Sequence, residues 1–142
     1  MTDQAPRAAA LARDSGPAPL SVEVAIGALT FAGDEPVEAG GGGMGPGPYD
    51  LLCAALAECS AMTVRLYAAR KAWPLEHISV AVDHAREPGA TPPDIFHRRL
   101  MLEGPLDGAQ RERLAQIAQG CPVHRTLSAG ARIATETLDQ TS

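Results

Sequence analysis

Apolar positions recur along this chain with two periods, and the longest regular stretch lies in its middle. From Leu51 they fall at Leu51, Leu52, Ala55, Leu56, Met62, Leu66 and Tyr67. That is the i, i+3, i+4, i+7 stripe of an amphipathic helix. Pro48 suits its first turn, where a missing N–H costs nothing, and Asp50 complements the positive end of the dipole. Arg65, Arg70 and Lys71 gather toward the other end, and Pro74 stops the helix after Ala72. Cys59 fills the gap between Leu56 and Met62, so the stripe predicts a thiol aimed into an apolar environment.

The remaining elements follow a period of two or end in helix signals. Leu20–Leu29 alternates Val22, Val24 and Ile26 against Ser21, Glu23 and Ala25, the pattern of a half-buried strand, and Thr30–Ala39 contains a turn at Gly33-Asp34 and returns as a second strand. Strands are expected at His77–Arg86, with Ile78, Val80 and Val82 on one face, and at Ile95–Leu102, with Phe96, Leu100 and Leu102 on one face. The Pro/Gly-rich link between them makes a hairpin. Asp107 and Gln110 have capping-box spacing, Leu114, Ile117 and Ala118 form the apolar side of the next helix, and Gly120 ends it. Pro122 fits the first position of a short helix with Cys121 as its N-cap, and Ala131–Leu138 reads as a last strand. The order β-β-α-β-β-α-short α-β lacks the regular alternation of a parallel sheet, which implies an α+β fold.

Composition narrows the function. Hydrophobic residues make up 45% of the 142-residue chain, enough for one domain core. The net charge of −5, with no basic patch, argues against nucleic acid. No run approaches the ~18 apolar residues of a membrane span. Residues 1–19, rich in Ala and Pro, read as a disordered tail, leaving 20–142 as the domain. The apolar run Ala8–Ala12 is shorter than a signal-peptide core, so a cytoplasmic location is expected.

Candidate chemistry lies in the thiols. Three cysteines in such a chain point to reactive or buried thiols rather than a disulfide scaffold. Cys53 and Cys59 are about 240° apart on one helix and do not face each other. Cys121 sits where a helix dipole favours a thiolate, and His124, three residues on, is on the same face to hydrogen-bond the sulfur or its carboxyl neighbours. Cys59 lies too deep in its own helix for that dipole, so it is either a buried thiol or one activated from elsewhere. A metal site of Cys59, Cys121 and His124 is one ligand short, and no metal is expected. Gly40, Gly42 and Gly45 match GxGxxG, but two prolines remove donors where a phosphate cradle needs them, so the stretch reads as a loop.

Several separated motifs resemble those of the OsmC/Ohr family of thiol peroxidases. They are Gly45-Pro46-x-Pro48-Tyr49-Asp50-Leu51-Leu52, then Ala54-Ala55-Leu56 and Cys59, then Ala69–Glu76 around Trp73-Pro74, then Cys121-Pro122-Val123-His124. The resemblance covers roughly residues 20–138, nearly a whole domain of ordinary size. It implies a curved antiparallel sheet around a long central helix in an intertwined homodimer. It implies Cys59 as peroxidatic and Cys121 as resolving cysteine, with Tyr49, Asp50, Glu58 and His124 as auxiliary positions. No bound cofactor is implied. The reductant is an external dithiol, and the substrate an organic hydroperoxide or another small apolar ligand. The chain departs from the peroxidase pattern where Tyr49 stands ten residues before Cys59 in place of Glu. It departs again where Glu58 precedes the thiol, and where no Arg or Lys lies between Asp14 and Val64. Arg98, Arg99 and Arg125 are the candidate substitutes for the missing cation. A second class therefore stays open, in which the fold serves as a small-molecule-binding or thiol redox-sensing protein without efficient turnover.

Overall fold

A computed structural model describes residues 8–14 and 16–138. It has the mixed α+β architecture expected: strands β1 (Ala10–Asp14), β2 (Val22–Ile26) and β3 (Leu29–Gly33), helix α1 (Pro48–Lys71), strands β4 (His77–Arg86) and β5 (Asp94–Glu103), and helices α2 (Gly108–Ala118) and α3 (Pro122–Ala129). These divide into two compact units. The first comprises the chain up to Ala54 together with His84–Ile95, the second Ala55–Asp83 with the chain from Phe96 onward.

In the first unit β1, β2 and β3 form an antiparallel sheet in that order, with Ala12 opposite Val24 and Val24 opposite Phe31. Two expectations are corrected here. Residues 10–14 lie inside the stretch read as a disordered tail, yet they pair with β2 along their whole length. All five are exposed, so backbone hydrogen bonds rather than an apolar face hold this edge, and side-chain patterning could not show it. The hairpin turn also falls earlier than expected. Gly27 takes φ +58, a left-handed conformation suited to glycine, and β3 begins at Leu29 rather than near Gly33.

The glycine-rich loop after β3 is organised by a carboxylate of its own. Asp34 is buried, and its oxygens accept the backbone N–H groups of Glu35 (2.8 Å), Gly42 (3.0 Å) and Met44 (3.2 Å). The cradle suggested by the GxGxxG match is thus filled by an internal anion. At the start of α1, Asp50 accepts Gly47 N–H at 2.8 Å. Tyr49 stacks on His84 with ring centroids 4.3 Å apart, and His84 Nε2 lies 2.9 Å from Asp94.

The second unit holds the main core: Val64, Ala68, Leu75, Leu106, Leu114 and Ala118, with Tyr67, Trp73, Ile78, Leu100 and Leu102 packed against it. Helix α1 contributes Leu56, Ser60, Val64 and Ala68, a row at every fourth residue. The stripe expected from sequence is therefore rotated: Leu52, Met62 and Leu66 are exposed. A helix rich in small residues carries no unique face in its pattern, because Ala, Cys and Ser can be buried on any side. For the same reason α1 has the length and apolar character to cross a membrane, contrary to the expectation that no such stretch exists, although Asp50, Glu58 and Arg65 interrupt it. It ends where Ala72 turns to φ +54 before Trp73 and Pro74. Arg65 caps the exit by donating to the carbonyls of Leu75 (2.6 Å) and Glu76 (3.2 Å).

Helix α2 begins with the expected reciprocal box, Asp107 accepting Gln110 N–H at 2.8 Å and Gln110 accepting Asp107 N–H at 3.0 Å. Ala131–Leu138 is not a strand. It is irregular and exposed, with Ile133 at 90% exposure, so its weak alternation finds no sheet within the described residues.

Candidate functional site: two thiols at one helix N-terminus

The short helix α3 starts abruptly at Cys121-Pro122. Cys121 takes extended backbone angles, φ −68 and ψ 148, as an N-cap does, and Pro122 occupies the first helical position. Four N–H groups open an α-helix without an intrahelical partner. Here the first does not exist, because it would belong to proline. The second, Val123 N–H, points to Cys59 Sγ at 3.5 Å. The third, His124 N–H, points to Cys121 Sγ at 3.3 Å. The remaining one, Cys121 N–H at the N-cap, donates to Ala118 O at 3.3 Å, and Arg125 N–H then makes the first intrahelical bond, to Cys121 O at 3.1 Å. The two free donors of the turn are thus divided between two sulfurs.

This arrangement gives Cys59 a helix N-terminus that its own helix does not supply. Cys59 is half-buried in α1 rather than sunk in an apolar stripe, and Cys121 is fully buried at 0% exposure. The two side chains, 62 residues apart in sequence, meet at the first turn of α3. None of the three cysteines is in a disulfide. Burial pushes the Cys121 thiol up, but the His124 N–H, the Cys59 and Ser60 side chains and the Arg98 charge outweigh it, so the net shift is downward.

Two residues of the site were not among the expected site residues or were left unplaced. Ser60 is fully buried, donates to Leu56 O at 2.6 Å and lies 3.9 Å from Cys121 Sγ. Arg98 comes from β5. Its Nη1 donates to Ser60 Oγ (3.0 Å) and to Ala118 O (3.1 Å), and its Nη2 donates to His124 Nδ1 (3.1 Å). A signal for Arg98 existed: it is in phase with Phe96, Leu100 and Leu102, the half-buried side of the strand. Ser60 had none beyond its position four residues from Leu56. Of the other two candidate cations, Arg99 pairs with Asp83 at 2.7 Å, and Arg125 is exposed.

The His124 ring does not meet the sulfur, as had been expected; its backbone N–H does. An arginine cannot accept a hydrogen bond, so Nδ1 must be the accepting nitrogen and the neutral ring carries its proton on Nε2. Desolvation and then the Arg98 charge hold the His124 pKa below its ordinary value, consistent with that form. Glu58 is exposed. Tyr49 and Asp50 belong to the first unit, where they make the ring stack and the helix cap described above. Among the described residues no group of three His, Cys, Asp or Glu side chains is arranged to hold a metal ion.

Chemically, the site presents an accessible sulfur against a buried one, both at backbone N–H donors. That is a geometry for thiol–disulfide chemistry.

The OsmC family model, described as OsmC-like protein, matches residues 40–136. A comparison with curated proteins finds no match. Solved structures are similar at low identity. One is an organic hydroperoxide resistance protein OsmC from Legionella pneumophila, with 23% identity and TM-score 0.65, covering 83% of this chain and 86% of that one. Another is an OsmC-like protein from Mycoplasma pneumoniae, with 21% identity and TM-score 0.62, covering 89% of each chain. A third is the organic hydroperoxide resistance protein OhrB of Bacillus subtilis, with 19% identity and TM-score 0.57, covering 82% of this chain and 87% of that one.

Proposed function

The chain belongs to the OsmC-like family, and on that premise we propose that it is a two-cysteine thiol peroxidase reducing organic hydroperoxides. The observation that carries this reading is the meeting of Cys59 and Cys121 at the first turn of α3. Cys59 is the more accessible sulfur and meets the peroxide. Its proton passes to the Cys121 thiolate, which shares the first turn of α3 with it. The Cys59 thiolate attacks the outer peroxide oxygen, the O–O bond breaks, and the alkoxide leaves and takes a proton from water. Cys59 is then a sulfenic acid. Cys121 attacks its sulfur, the S–O bond breaks, water departs, and a Cys59–Cys121 disulfide remains. An external dithiol reduces it, so no bound cofactor is required. The names of the hydroperoxide-resistance relatives support this substrate class. We further assign a cytoplasmic location and a homodimeric state, the latter supported by the exposed apolar residues Met62 and Leu66 of α1.

The test follows consumption of cumene and tert-butyl hydroperoxide with a lipoyl dithiol as reductant. Wild-type protein should turn over, Cys59→Ser should lose activity by at least about a hundredfold, and Cys121→Ser should accumulate oxidised Cys59 without cycling. Wild-type turnover no faster than Cys59→Ser would leave the sensing and binding class as the function of this fold.

A further inference from the structure

Arg98 is a cation on the half-buried face of a strand, and among the described residues no carboxylate pairs with it. Its three hydrogen bonds run instead to Ser60 Oγ, Ala118 O and His124 Nδ1, all neutral acceptors. Those three partners surround Cys121. Ser60 Oγ touches the sulfur, Ala118 O accepts Cys121 N–H at 3.3 Å, and His124 supplies the N–H that reaches Cys121 Sγ. Burying part of a cation without a counter-charge is costly unless an anion forms beside it. Among the described residues, the groups there able to become anionic are the two thiols.

We propose that Arg98 is a positioning residue that makes Cys121 the standing thiolate of the pair: the base that receives the Cys59 proton, and the leaving group when the disulfide is reduced. This rests on the two-cysteine reading above and deepens it. The reductive step then has a fixed direction. One thiolate of an external dithiol attacks Cys59 Sγ, the accessible sulfur. The Cys59–Cys121 bond breaks and Cys121 leaves with the electron pair, held by His124 N–H and the Arg98 charge. The second thiol of the reductant then attacks its own sulfur on Cys59. Cys59 departs as a thiolate and takes up a proton, and the reductant leaves as a disulfide. A leaving thiol that favours its anion leaves faster.

Ser60 is the hinge of this arrangement. While Cys121 is protonated, the Ser60 hydroxyl donates to Leu56 O and accepts from both Arg98 and the thiol. When Cys121 is ionised, the same hydroxyl can turn its proton toward sulfur while Arg98 Nη1 still donates to its oxygen. The titratable and charged groups that face Cys121 are Cys59 from α1, Arg98 from β5 and His124 from its own helix.

The experiment titrates Cys121 by thiolate ultraviolet absorbance in protein carrying Cys53→Ser and Cys59→Ser, so that one thiol remains. Arg98→Gln should raise the titration midpoint enough to leave about tenfold less thiolate at a fixed pH below it. Arg98→Lys, which keeps the charge, should stay near the parent. An unchanged midpoint in folded Arg98→Gln, or an equal rise in both variants, overturns the proposal. A second measurement needs no change at Arg98: in the same single-thiol protein the Arg98 guanidinium resonances should shift with the midpoint of the absorbance titration, and their failure to do so also overturns it. Neither readout requires hydroperoxide turnover. A protein with the Arg98-dependent midpoint and no peroxidase activity would refute the proposed function and leave standing only that Arg98 holds Cys121 as a thiolate.

Discussion

Ser60 and Arg98 show how much of a thiol site can escape a reading of thiols. Both cysteines and the cap role of Cys121 were visible in the sequence, because Pro122 marks a helix start and fixes its neighbour as N-cap. The partner that Cys59 needed was not visible, since it is the main-chain N–H of Val123, and a backbone donor leaves no trace in residue type. Arg98 was legible only as one of three candidate cations; the strand alternation that puts it on the half-buried side decides between them. His124 carries a prediction at this scale. Its neutral ring accepts from Arg98, and its pKa is lowered in the folded protein. The unfolded chain therefore binds a proton in a pH range where the folded one does not. This contribution to stability is fully present above the ordinary histidine value of about 6.5 and is lost as pH falls through the lowered folded value. Urea unfolding across that window should show stability falling with acid, and His124→Asn should flatten the slope. An unaltered slope would mean the ring is not held neutral.

Elements with strong local signals were legible in type and extent: α1, the β4–β5 hairpin, the boxed start of α2 and the capped start of α3. Those lost were held by the backbone alone or lacked a partner. β1 pairs through its main chain with every side chain exposed, and Ala131–Leu138 alternates without joining a sheet. The loop 40–47 lies between these cases. Its glycines announced a tight backbone but not the group it wraps, which is Asp34, a residue that sequence placed in an ordinary turn. Removing that carboxylate leaves three backbone N–H groups without their acceptor. Asp34→Ala should cost about 2 kcal/mol of unfolding free energy, discounted from the sum of three bonds because water reaches the exposed Gly42 and Met44. Denaturant unfolding measures it. A loss below about 0.5 kcal/mol would show that the loop holds itself without the anion.

At the scale of the molecule, each unit has its own organising centre: the three-stranded sheet and carboxylate-pinned loop in one, the main core and the thiol pair in the other. The second is built around Leu114, Val64 and Ser60, all fully buried, on elements that sequence did identify. What sequence misjudged was the rotation of α1 within it. Because Val64 and Ala68 face the core, Met62 and Leu66 are left exposed at 62% and 52%. The proposed homodimer would cover them. Leu66→Glu places a charge on that surface and should weaken association at least tenfold, read by light scattering over a dilution series. A mass that does not change with the substitution would separate this helix face from any self-association.

The proline at the head of α3 has a consequence for what oxidation does to the chain. With Pro122 contributing no donor, two amides of the turn remain, and each is satisfied by a sulfur rather than by the oxygen usual at a helix cap. Sulfur accepts hydrogen bonds well as an anion and poorly once it is bonded to another sulfur. Oxidation of the thiols therefore also weakens the acceptors of two backbone amides, and the redox state of two side chains is written into the start of a helix.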